Sequence, residues 1–183
     1  MDMKGIKWGV LVLLIAGCAQ TPAPAPVAAA PKMNDGDLAL PANYKNWKAT
    51  RMGVQRADVK QIRDVYLNDV GASAPKGGKF PNGTVSVMEL HAAKLGADGN
   101  PEKGADGNMI RDRLLKVFVM GKGAGYGADP SNEPKNGDWV YGAYLADGKK
   151  APDAIKPCRE CHLNRIGEAK DYVASYTHFD SKK

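Results

Sequence analysis

Residues 57–69, ADVKQIRDVYLND, put Val59, Ile62, Val65 and Tyr66 at helical spacing. Asp58 with Gln61 three residues on has the form of a capping box, and Gly71 is a natural terminator, so a helix is expected here. A shorter helix is expected over residues 44–52. The pattern then changes. Residues 84–94, TVSVMELHAAK, alternate at their start and predict a strand, and residues 114–120, LLKVFVM, and 139–145, WVYGAYL, predict two more. Loops are expected at 71–83, 121–127 and 146–150. The stretch 121–127, GKGAGYG, is glycine-rich as a phosphate loop is, but no Gly-Lys-Ser/Thr ends it. Its glycines point instead to backbone that approaches something closely. ADGN occurs at 97–100 and again at 105–108, each a turn signal, and the spacing does not match an EF-hand calcium loop. A last short helix is expected at Pro157. Helix, antiparallel strands and helix in that order predict an α+β fold, mainly antiparallel β-sheet with a few helices.

The 183-residue chain opens differently. Lys4 and Lys7 precede an apolar run, residues 8–16, too short to span a bilayer, which reads as a secretory signal. Residues 14–18, LIAGC, have the form of a bacterial lipobox, with cleavage before Cys18 and acylation of its thiol; an ordinary signal cleaved further on is the alternative. Residues 19–32, AQTPAPAPVAAAPK, cannot build a core and read as a semi-stiff tether. The expected organisation is a lipoprotein-type signal peptide over 1–17, a Pro/Ala-rich tether over 18–32 and one folded domain over 33–183. The mature protein is then periplasmic and meets a membrane only through a lipid anchor at Cys18. The formal charge of +6 becomes +5 without residues 1–17. No Lys/Arg block is interleaved with aromatics, which argues against nucleic acid. A modest positive surface suits an acidic redox partner such as a small cytochrome c.

Candidate chemistry gathers at residues 158–162, CRECH. With Cys18 in the signal, Cys158 and Cys161 remain, and a disulfide between residues three apart closes too small a loop to stabilise much. C-x-x-C-H is the attachment signature of haem c. Two thiols add across two vinyl groups, and the adjacent histidine, His162, comes under the iron as its ligand. A thioredoxin-like motif would want a βαβ context, and zinc would want two more ligands, for which His91 and His178 are available but form no matching cluster. One motif means one haem. No methionine follows the motif, His91 reads as a sheet residue with a satisfied ring, and His178 as an exposed tail residue, so an open distal site is expected.

The ordered set IRDVYLND, FPNGTVSVMELHAAK, VFVMGKGAGYG, NGDWVYGAYLADGK and CRECH resembles the cytochrome P-460 family from about Asn43 to Tyr172. The resemblance implies a single haem c domain, a homodimer and a five-coordinate iron. It also implies a lysine nitrogen bonded to the porphyrin, and oxidation of hydroxylamine to nitrous oxide with nitric oxide through an iron-nitrosyl. Relatives without the lysine link, the cytochromes c′-beta, bind nitric oxide. On this resemblance Lys94 is the expected cross-link, since alternation puts it on one strand face with Thr84, Ser86, Met88, Leu90 and Ala92. Lys116 and Lys122 stand behind it. Arg63 and Tyr66 are candidates to line the pocket, Phe80 and Phe118 to restrict access, and Glu89, Asp138 and Asp153 to act as base. Three functions stay distinguishable. A linked Lys94 favours the enzyme, a free Lys94 beside an apolar pocket favours a nitric oxide-binding protein, and a Met or His on the iron favours an electron carrier.

Overall fold

A computed structural model describes residues 32–174. The signal, Cys18 and nearly all of the tether lie outside the described residues, as does His178. Five strands form one antiparallel sheet in chain order: β1 (Lys48–Arg56), β2 (Gln61–Leu67), β3 (Val85–Ala93), β4 (Arg111–Lys122) and β5 (Trp139–Leu145). Two short α-helices accompany it, α1 (Asp69–Ala72) and α2 (Ile155–Cys161). The α+β architecture is the expected one. Among the described residues no helix is long and apolar enough to cross a membrane.

Residues 57–69 correct the helical expectation, because most of them form β2. Their buried positions are Ile62, Asp64, Tyr66 and Leu67. The alternation is real, but one inward position is an aspartate, and Val65 on the other face is half-buried. A strand with apolar residues on both faces loses the contrast that reveals period two. Asp58 caps no helix; it pairs with Arg56 at 2.7 Å. Residues 44–52 also differ, giving one 3-10 turn, Tyr44–Asn46, and then the start of β1.

The two sheet faces are covered from opposite ends of the chain. On one face Tyr66, Val87, Val117, Val119 and Tyr144 pack under Leu38, Leu40, Tyr44 and Trp47 of the N-terminal segment. Gly142 makes this possible, since a Cβ there would sit 2.8 Å from the Leu38 carbonyl oxygen. On the other face Leu67, Met120, Trp139, Tyr141 and Ala143 pack with Ile155 of α2 and Val173. The ADGN repeats are two matched turns beyond β3, closed by Gly96 N to Asn100 O and by Gly104 N to Asn108 O, each 2.9 Å. Asp98 and Asp106 spend their oxygens on Asn100 and Asn108. The glycines of 121–127 allow a close approach, but to protein: a side chain at Gly127 would collide with the Gly137 carbonyl, and one at Gly123 with the Tyr126 ring.

Candidate haem-binding site

Helix α2 carries Cys158 and Cys161, and the chain continues from it as a π-helical turn over His162–Ile166. Spacings of three and four on a helix bring the two thiols and the His162 ring to one side. Gly167, with φ +75°, ends the turn. Both cysteines are free thiols, Cys158 half-buried and Cys161 exposed. Burial pushes the Cys158 thiol up to about 11; the neighbouring Cys161 adds to this, while Arg63 and Lys116 pull against it.

The His162 ring is fixed from behind. Its Nδ1 donates to the Tyr172 carbonyl, and its Nε2 makes no hydrogen bond among the described residues. Burial lowers the His162 pKa and Arg63 lowers it further, against the opposing Tyr172 bond, so the imidazole stays neutral as a metal ligand must. Tyr172 is itself positioned. Asp171 and Tyr172 both take positive φ, 49° and 57°, a conformation non-glycine residues seldom adopt. Buried Asp171 holds it, accepting from Phe80 N at 2.8 Å and pairing with Lys122 Nζ at 2.7 Å.

Strand register defines what faces the motif. The cross-strand rows Arg63–Leu90–Lys116, Val65–Met88–Phe118–Ala143 and Leu67–Ser86–Met120–Tyr141 lie on the face that α2 covers. The third row is buried beneath the helix. Five residues of the first two rows (Arg63, Val65, Met88, Lys116 and Phe118) are only half-buried. Cys158 and Phe118 both pack against the buried cluster on this face. Two thiols, a neutral imidazole with one nitrogen available and an incompletely covered apolar shelf suit haem c. The two cations at its rim add charge without metal-ligand character.

Sequence-predicted residues therefore separate. Cys158, Cys161, His162, Arg63, Met88, Lys116 and Phe118 are brought to one face. Glu89, Tyr66 and His91 are not, because alternation turns them to the opposite face. There Asp64, Glu89 and His91 bring potential metal-ligand atoms within 4.8 Å of one another, all three residues buried. Their charge is already met: Arg111 pairs with Asp64 at 2.6 Å and Lys45 with Glu89 at 2.9 Å, while Tyr44 donates to Glu89 at 2.6 Å. Burial works to raise the Glu89 pKa, but the bonds from Tyr44, Lys45 and His91 prevail and hold it below the ordinary value.

Lys94 lies past the end of β3, exposed, paired with Glu102 at 2.6 Å. That hydrogen bond raises its pKa, which keeps the amine protonated and a poor nucleophile. Asp153 is exposed and Asp138 half-buried. Phe80 stacks edge-on against Trp139, 6.1 Å between centroids, within the core. Sequence reading missed Arg159, Asp35 and Tyr172. The signal available for the first was an arginine inside the motif itself.

A sheet shelf facing a C-x-x-C-H helix defines a c-type cytochrome of β-sheet architecture. Comparison with protein families matches residues 41–175 to Cytochrome P460, and the chain belongs to that family. Comparison with curated proteins finds no match.

Proposed function

We propose that this protein is a mono-haem c cytochrome that oxidises hydroxylamine at an open iron face, giving nitrous oxide when nitric oxide is present. The carrying observation is that the cross-strand row Arg63–Leu90–Lys116 lies on the sheet face that the motif helix covers. A pocket for nitric oxide alone needs no cation. Hydroxylamine oxidation releases protons and passes through polar species, which side chains that donate hydrogen bonds can hold.

Cys158 and Cys161 would hold the group by thioether bonds, and His162 Nε2 would ligate its iron. Haem c, when bound, supplies an iron that accepts electrons from a coordinated nitrogen compound. Tyr172, through its carbonyl, keeps the His162 ring oriented and its Nε2 lone pair outward. Arg63 would orient the substrate and stabilise negative charge as protons leave. Val65, Met88 and Phe118 exclude bulk water. Lys116 is the better-situated amine for a porphyrin link, because Lys94 would first have to leave Glu102. Partners follow from this chemistry: hydroxylamine and nitric oxide as small molecules, a small cytochrome c as electron acceptor, and a second copy of the chain in a homodimer. A periplasmic location with a lipid anchor at Cys18 completes the proposal.

One observation favours capture of nitric oxide without turnover. Lys94 is engaged by Glu102 and the middle of the shelf is apolar. Ferric and ferrous optical spectra with an intact mass separate the two. A ferrous Soret band shifted far to the red, hydrogens lost to an extra bond, and loss of both in Lys116→Ala support the enzyme. An ordinary five-coordinate haem c spectrum without hydroxylamine turnover leaves nitric oxide binding. Six-coordinate bands overturn both.

A further inference from the structure

The two residues between the motif cysteines are Arg159 and Glu160. Glu160 is exposed. Arg159 is completely buried, an arrangement a guanidinium tolerates only when its donors are all met. They are. Nη1 donates to the Pro134 carbonyl at 2.8 Å and to Asn136 Oδ1 at 3.3 Å. Nη2 donates to the Trp139 carbonyl at 2.9 Å and to Asp35 Oδ1 at 3.1 Å. Nε donates to Asp35 Oδ2. Asn136 returns a bond to the Arg159 carbonyl at 3.2 Å.

Asp35 comes from the segment that follows the tether. It also accepts from Tyr141 N at 2.9 Å, and its own N–H donates to buried Asn132 Oδ1 at 2.9 Å. One carboxylate thus joins the chain's first described segment, β5 and the motif helix. The guanidinium carbon lies 5.0 Å from the centroid of the Tyr141 ring. That same ring meets the His162 imidazole edge-on, 5.4 Å between centroids and 69° between planes. Arg159, Tyr141 and His162 form a stack that leads from a buried ion pair to the expected iron ligand.

We infer that Arg159 and Asp35 are positioning residues for the haem. The pair sets the depth and rotation of the motif helix, and its two opposed charges set the electrostatic field at His162 through the Tyr141 ring. Neither touches substrate. Buried hydrogen bonds and charge around an axial ligand are the means by which a protein tunes haem iron. Removing Asp35 leaves a buried positive charge, which disfavours ferric iron. Removing Arg159 leaves the half-buried Asp35 carboxylate unpaired, and that negative charge favours ferric iron. The two halves of the pair therefore shift the reduction potential in opposite directions. A role confined to holding the fold together gives no such sign relation.

The proposal rests on haem attachment at Cys158, Cys161 and His162 and is independent of hydroxylamine turnover. The test compares full-length wild type with Asp35→Asn and Arg159→Met by covalent haem content, redox titration and the iron–histidine stretch in resonance Raman. The expected result is a higher potential in Asp35→Asn, a lower one in Arg159→Met and a displaced stretch in both. Unchanged potentials, or shifts of one sign, overturn the proposal even if both variants melt earlier. If Arg159→Met does not accumulate, Asp35→Asn decides alone: a potential that stays put or falls overturns it. A wild type without covalent haem overturns the haem assignment itself, which the haem assay reads separately.

Discussion

The two faces of the sheet hold similar numbers of polar groups and use them differently. On the face beneath the N-terminal segment, Asp64, Glu89 and His91 are buried, and Tyr44, Lys45 and Arg111 answer them within the same layer. On the face beneath α2, two thiols, a neutral imidazole and the cations Arg63 and Lys116 border a shelf that is only half covered. A buried layer tied together by ion pairs and hydrogen bonds lends rigidity. A half-covered face with an imidazole nitrogen available has something left to bind. Burial separates the two faces: the polar cluster on one is closed over, while the shelf on the other is half-buried and lies beside an imidazole whose Nε2 makes no hydrogen bond among the described residues.

The contrast breaks most visibly at His162. His162→Ala should abolish normal ferric and ferrous haem bands, read by optical spectroscopy, while the fold of the opposite face persists. Glu89→Ala should do the reverse. It strands the Tyr44 hydroxyl and His91 in a buried layer and should cost about 2 kcal/mol in chemical denaturation, with haem bands unchanged. Lost turnover at unchanged stability would instead make Glu89 a working base.

Acid should sharpen the same difference. Glu89 has a folded pKa held below its ordinary value of 4.5, so its contribution is fully present above 4.5 and is lost as pH falls through the folded value. Stability followed from pH 7 downward should therefore decline below about 4.5, and Glu89→Gln should decline less steeply over that range. The smallest effect is expected at Lys94. Lys94→Ala removes an exposed pair with Glu102, so stability and spectrum should both stay near wild type. A changed spectrum would restore Lys94 as the cross-link.

Much of this was readable in the chain. β3, β4 and β5 each announced themselves by β-branched and aromatic runs between turn signals, and CRECH carried its chemistry in its spacing. β2 did not, because apolar residues sit on both its faces and Asp64 occupies an inward position that hydrophobic patterning assigns to solvent. Lys94 is the cross-link that the family resemblance implies, with alternation along one strand in support. Alternation gives the face of a residue but not its distance along the sheet, and Lys94 sits past the strand's end, opposite Glu102.

The amino-acid sequence by itself determined the segments of β3, β4 and β5 and the C-x-x-C-H motif of Cys158, Cys161 and His162, since these depend on residue type and local spacing. Only the tertiary structure decided that Glu89 belongs to a closed layer, that Arg63 and Lys116 share a face with the motif, and that Asp35 reaches Arg159. Those relations join residues far apart in the chain. They exist because cross-strand register and the packing of two chain ends over one sheet fix distances that no local pattern encodes.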